Sequence, residues 1–236
     1  MKYIAIAALS ILSLTACSKK ENGNLHITGN VQGLRTGKLY IKKIKDTALV
    51  TIDSIIIDGD PHFTSDLQIE SPEMYYLFLN RGATNSLDNS VPFFAEAGNI
   101  NIETTLDYFL YDAKITGSKN HDKYAEFKNI TTAFNDRNLT FMEMKFKALQ
   151  NKNRQKVDSI EALQQTNTKR QYLYTTNFAL TNKDLEVAPY VALTEIANIN
   201  LKYLDTIQKS MSPKVAQSLY GKKLKEFYNQ RKQAEK

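Results

Sequence analysis

Asp58, Asp60 and His62 alternate along the chain, so on a strand two carboxylates and an imidazole would share one face able to hold a cation. Gly59 and Pro61 between them favour a tight turn instead. A helix-loop calcium site fails as well, since Phe63 stands where Gly is needed and Ile69 where Glu is needed. Gly33 to Leu39 has the look of a phosphate loop, but it is one residue short between glycines and ends in Leu39, where a magnesium-binding hydroxyl belongs. No Gly-x-Ser-x-Gly elbow and no His-Glu-x-x-His helix can be written, because the three histidines are His26, His62 and His121. A carboxylate pair for glycoside chemistry needs two facing carboxylates, and nothing in the sequence selects such a pair. The expectation is a protein that is not an enzyme, with no catalytic residue, no metal site and no cofactor.

The one clear chemical handle is Cys17, the single cysteine among 236 residues. One thiol makes no intramolecular disulfide and no cysteine-based zinc site. It ends a segment with one positive charge, Lys2, and an apolar run from Ile4 to Leu14, too short for a membrane span and shaped like a secretory signal. Leu14-Thr15-Ala16-Cys17 resembles a bacterial lipobox, with Thr15 departing mildly from the usual Ala or Ser. The expected processing removes residues 1–16 and acylates Cys17 with chains such as palmitate, leaving a polar linker over residues 17–24. The expected location is the cell envelope, held to a membrane, most readily the outer one, with its face left open by Ser18 and Lys19-Lys20-Glu21.

A second signal is the tripeptide Asp, then Ser or Thr, then an apolar residue. It occurs at Asp46-Thr47-Ala48, Asp53-Ser54-Ile55, Asp158-Ser159-Ile160 and Asp205-Thr206-Ile207, more often than chance order of this composition gives. These sites resemble the O-glycosylation acceptor of Bacteroidetes envelope proteins, so Thr47, Ser54, Ser159 and Thr206 are candidate sugar acceptors. Local capping by the hydroxyl is the competing explanation.

Eight of the nine glycines lie between Gly23 and Gly117, and that change of composition divides the chain. From residue 25 to 117, short β-branched or aromatic runs alternate with turn residues, which predicts an antiparallel β-sandwich or curved sheet. Its clearest hairpin turns are expected at Asp58-Gly59-Asp60-Pro61 and Glu96-Ala97-Gly98-Asn99. From 118 to 236 the apolar period lengthens, with Tyr124, Phe127, Ile130 and Phe134 on one helix face, and Val157, Ile160 and Leu163 on another. Leu224, Phe227 and Tyr228 mark a further helix, Pro189 another start, and Ser212-Pro213 a capped start. The fold class is therefore α+β, with four to six helices after the sheet.

The helical half carries 21 Lys and Arg against 12 Asp and Glu, whereas residues 17–117 carry 9 against 13. Lys222, Lys223, Lys225, Arg231 and Lys232 form a basic group that, near a bilayer, would face anionic headgroups or acidic envelope partners. Nucleic acid is not an expected partner of an exported chain.

Ile27-Thr28-Gly29-Asn30-Val31-Gln32-Gly33-Leu34, the run Val91-Pro92-Phe93-Phe94-Ala95-Glu96-Ala97-Gly98-Asn99-Ile100, Ile115-Thr116-Gly117-Ser118 and the closing Ser212-Pro213-Lys214-Val215 to Leu224 together resemble a Bacteroidetes lipoprotein domain of unknown function. That domain commonly precedes a thioredoxin-like domain of the peroxiredoxin and thiol-disulfide reductase superfamily. The chain stops where such a domain would begin and has neither a Trp nor a second Cys, so redox activity does not carry over. The resemblance implies an accessory domain that docks to a relative or another envelope protein. The leading expectation is thus a non-catalytic binding or interaction module anchored by lipid, and the alternative is capture of glycan or another small ligand.

Overall fold

The computed structural model describes residues 23–82 and 87–235. Eight strands come first: β1 (Leu25–Gln32), β2 (Thr36–Lys45), β3 (Ala48–Asp58), β4 (His62–Leu67), β5 (Glu73–Leu79), β6 (Ser90–Ala95), β7 (Gly98–Thr105) and β8 (Lys114–Thr116). They form two four-stranded sheets, ordered β4-β1-β7-β8 and β3-β2-β5-β6. Between the sheets lies a core of alternating side chains, among them Leu25, Ile27, Val31, Leu39, Ile41, Leu77, Phe93 and Ile102.

Both turns expected to be hairpins are sheet-to-sheet crossings. Gly59 and Gly98 do take positive φ, +89° and +125°. The strands they join nonetheless lie in opposite sheets, β3 to β4 and β6 to β7. A turn residue fixes the local bend, while the choice of partner depends on which face of the next strand is apolar. The true tight hairpin is β2–β3, around Asp46 with φ 57°. The sandwich is also not wholly antiparallel, because β1 runs parallel to β7 from Leu25 opposite Gly98 to Gln32 opposite Thr105.

Six helices follow: α1 (Lys119–Gln150), α2 (Arg154–Thr181), α3 (Val187–Glu195), α4 (Leu201–Ser210), α5 (Pro213–Gln217) and α6 (Leu219–Ala234). The α+β order is as the sequence implies. The helices bury the outer face of the second sheet, where Met74 and Phe94 join a second core with Phe127, Phe178, Val187, Val191, Leu204 and Leu224. Strand β5 is therefore covered on both faces, which explains its unbroken run Met74-Tyr75-Tyr76-Leu77-Phe78-Leu79. Not every residue of the expected helix faces is buried, since Ile130 and Leu163 are exposed. Ser212 precedes α5 without a side-chain cap bond; the capping hydroxyl is instead Ser218, which accepts from Gly221 N at 3.3 Å and donates to Val215 O at 2.7 Å.

Gly117 is where the two architectures meet. Its φ is +93°, and an added Cβ would lie 2.0 Å from Asn99 O in β7. Gly117→Ala should therefore cost at least about 2 kcal/mol, through strain and a backbone clash together. Gly59→Ala, with positive φ but open space around it, should cost about half as much. Urea midpoints of the two variants measure the difference.

Candidate functional site

Asp58, Asp60 and His62 build a turn. Asp60 Oδ1 accepts from His62 N at 3.0 Å and lies 2.6 Å from His62 Nδ1. The backbone bond, then the ring, holds the Asp60 carboxyl below the usual range. Among the described residues no three His, Cys, Asp or Glu side chains come together as a metal site. Leu14, Thr15, Ala16 and Cys17 lie outside the described residues. Thr47, Ser54, Ser159 and Thr206 are all exposed, on the β2–β3 turn, the edge strand β3, α2 and α4. The hydroxyls of Ser159 and Thr206 donate to the carbonyls four residues back, Gln155 O at 2.9 Å and Lys202 O at 2.8 Å. The basic group on α6 is smaller than its sequence suggests. Arg231 Nη1 donates to Ala197 O and Ile199 O, both at 2.7 Å, and so clamps the α3–α4 turn.

The most highly connected polar cluster sits where the sandwich meets the helices. Glu96, just after β6, stands at the N-terminus of α1: Oε1 accepts from Lys119 N at 2.9 Å, and Oε2 from Asn120 N at 3.0 Å and Ser118 Oγ at 3.1 Å. A carboxylate there satisfies free amides and opposes the helix dipole. Asn120 Nδ2 then donates to Glu96 Oε2 at 2.8 Å and to Glu186 Oε2 at 3.1 Å, while Asn120 Oδ1 accepts from Val187 N at 2.8 Å. One amide side chain thus joins two carboxylates and caps α3. Glu186 is 2% exposed, and its Oε1 accepts no hydrogen bond, with the exposed Lys214 Nζ at 4.0 Å. A cleft of about 540 Å³ opens beside this cluster, lined also by Asn24, Glu70 and Lys119.

Behind the cluster lies an aromatic group. Phe94 packs edge-on against Tyr124, Tyr190 and Tyr220 at centroid distances of 5.8, 5.2 and 6.3 Å. Tyr220 reaches back to the sheet, its hydroxyl accepting from Met74 N at 2.9 Å. Burial pushes the Tyr124 phenol up to about 12 and raises Tyr190 and Tyr220 too. His121, beside Tyr124, is held below the usual imidazole value by burial, against a raising influence from Asp122.

The other notable surface is on the long hairpin of α1 and α2. Its inner seam includes Phe127, Thr131, Ala148, Ile160 and Asn167, and Asn167 Nδ2 donates to Phe134 O and Asn138 Oδ1 at 2.9 Å. A second seam faces outward: Leu139, Met142, Phe146 and Leu149 are 59%, 59%, 63% and 55% exposed. Their spacing is that of one apolar helix stripe. Sequence reasoning passed over this stripe, although its period was present to be read.

Residues 25–124 match the model of a family described as a domain of unknown function, DUF4369. No curated protein matches the chain. The matched span takes in the whole sandwich, Ser118 and the first six residues of α1, including Asn120 and Tyr124, so it contains both Glu96 and the groups it caps. The closing segment Ser212 to Leu224 lies beyond it.

Two measurements test the junction. Asn120→Asp keeps the shape but replaces the donor shared by Glu96 and Glu186 with a third carboxylate, and should cost about 3 kcal/mol or more at neutral pH. For His121 the unfolded chain, with an imidazole pKa of about 6.5, takes up its proton before the folded one does. Stability must therefore fall as pH drops through about 6.5, until the folded histidine also protonates. In urea titrations between neutral pH and mild acid, the native chain should lose more stability than His121→Gln.

Proposed function

We propose that the chain is a lipid-anchored, non-catalytic interaction module of the cell envelope that docks an acidic amphipathic helix of another envelope protein. The observation that supports this reading is the outward stripe Leu139, Met142, Phe146 and Leu149. Four large apolar side chains, each more than half exposed, are what a helix-in-groove interface offers before its partner arrives. The charge around them selects the partner. Between residues 137 and 161 there are six Lys and Arg against three Asp and Glu, and Lys145 already pairs with Glu161 at 2.6 Å. A second copy would bring like charge to the same surface, whereas an acidic helix complements it.

Attachment through Cys17 would keep the folded body near a membrane, since the linker of residues 17–24 is short. The outer membrane is the expected site. The resemblance to a domain that precedes thioredoxin-like domains makes an envelope thioredoxin-like protein the first partner to try. Thr47, Ser54, Ser159 and Thr206 remain candidate O-glycan acceptors at exposed positions.

A photo-crosslinking residue placed at Phe146 in native cells tests the docking. The expected product is a discrete adduct with one other envelope protein, reduced about tenfold by Lys147→Glu with Lys152→Glu. A product of two copies, or an adduct insensitive to those charges, overturns the proposal. Cys17→Ser in the same cells should release the protein from the membrane fraction, and retention there would overturn the anchor. Intact mass of the native protein should show excess hexose over lipid, and its absence would end the glycosylation assignment.

A further inference from the structure

The helices cover only the second sheet, so the outer face of the first is open, and it is polar almost throughout. From β1 it takes His26, Thr28, Asn30 and Gln32, and opposite them on β7 stand Asn99, Asn101, Glu103 and Thr105. The row is internally braced: Thr28 Oγ1 donates to Asn101 Oδ1 at 3.0 Å, and Asn101 Nδ2 donates to Glu103 Oε1 at 3.0 Å. At its far end a cavity of about 370 Å³ is lined by Asn30, Gln32, Glu103, Asp112, Lys114 and Tyr111.

Tyr111 is 76% exposed, an unusual position for a large ring. The loop that carries it, between β7 and β8, is firmly pinned. Phe109 is buried at 1% exposure, and Thr104 Oγ1 donates to Phe109 O at 2.7 Å. Thr105 Oγ1 donates to Asp112 Oδ2 at 2.8 Å and accepts from Tyr108 N at 3.2 Å, and Asp112 N donates to Tyr108 O at 2.9 Å. The Arg81 guanidinium donates to Leu106 O. A flexible loop would lose entropy on holding a ligand, whereas this one presents its ring already ordered.

We infer that this cavity is a carbohydrate-binding site, in which a sugar ring lies against Tyr111 and its hydroxyls meet the amides and carboxylates of Asn30, Gln32, Glu103 and Asp112. The chemistry of the lining selects that class. Neighbouring sugar hydroxyls both donate and accept, as amide side chains do, and an aromatic face suits the apolar C–H face of the ring. Two carboxylates and one ammonium leave the lining close to neutral, a poor match for phosphate or another polyanion. The site uses a different face from the hairpin stripe and stands whether or not a helix docks there.

The test is amide NMR of the folded body in millimolar chitotetraose, maltotetraose, cellotetraose and mannotetraose. At least one should shift the amides of residues 101–114. Tyr111→Ala should weaken that binding about tenfold without lowering the thermal midpoint, and Tyr111→Phe should keep it. Tyr108→Ala removes a ring of similar exposure on the same loop but outside the cavity, and should leave affinity within about twofold. Silence of these amides with all four sugars, or equal binding by Tyr111→Ala, overturns the inference.

Discussion

Asn120 holds the molecule together at its one difficult point. A sandwich that ends at β8 and a helical layer that starts at α1 bury two carboxylates where they join, Glu96 partly and Glu186 to 2% exposure. Buried like charges repel and resist desolvation unless donors meet them. The Asn120 amide meets both and fixes the N-terminus of α3 with its oxygen. Because Glu96 also caps α1, the direction of α1 is set by a residue of the turn between β6 and β7. The aromatic packing of Phe94 with Tyr124, Tyr190 and Tyr220 depends on that direction, since each ring comes from a different element.

The strands were legible because alternation is a local property. The β-branched and aromatic runs between turn residues place the β half correctly, and all eight strands lie between residues 25 and 116. The pairing of those strands was not legible. Gly59 and Gly98 announce a bend, but not that the chain moves to the other sheet, and nothing local marks β1 and β7 as parallel partners some 70 residues apart. The junction was hidden for the same reason: Asn120 and Glu186 are polar residues 66 positions apart, and only the fold makes them neighbours. Periodicity also fails to say which apolar stripe finds a partner. Ile130 and Leu163 have the spacing of a helix face, and the stripe from Leu139 to Leu149 has equally good spacing, yet all of these lie exposed. Likewise, 13 tyrosines in the sequence do not separate Tyr190, inside the second core, from Tyr111, out on a loop.

Charge was read correctly in sum and less well in detail. The excess of Lys and Arg in the helical half is real, but Arg231 is spent on the carbonyls of the α3–α4 turn, and its other nitrogen binds Glu235. Lys43, in the sandwich, is likewise tied to Glu73 at 3.0 Å, and bonds to Glu73 and Tyr75 outweigh the cost of its partial burial. What remains free on the helices is a set of surface ammoniums whose attraction to an acidic partner weakens with salt.

The arrangement of these surfaces follows from β1. The chain enters the body at Gly23 and Asn24, and Asn24 lines the cleft beside Glu96 and Lys119 at the start of α1. Strand β1 then runs from Leu25 to Gln32, and at about 3.3 Å per residue its far end lies some 25 Å from that entry. Asn30 and Gln32, which line the cavity at Tyr111, are at that far end. Asn30 and Gln32 thus stand at the opposite end of β1 from the cleft that Lys119 and Lys214 line. Helix α1 begins at the same end, and at 1.5 Å per residue the stripe starting at Leu139 lies about 30 Å along it. The cavity at Tyr111 and the stripe on α1 therefore both lie well away from the end at which the chain enters the body.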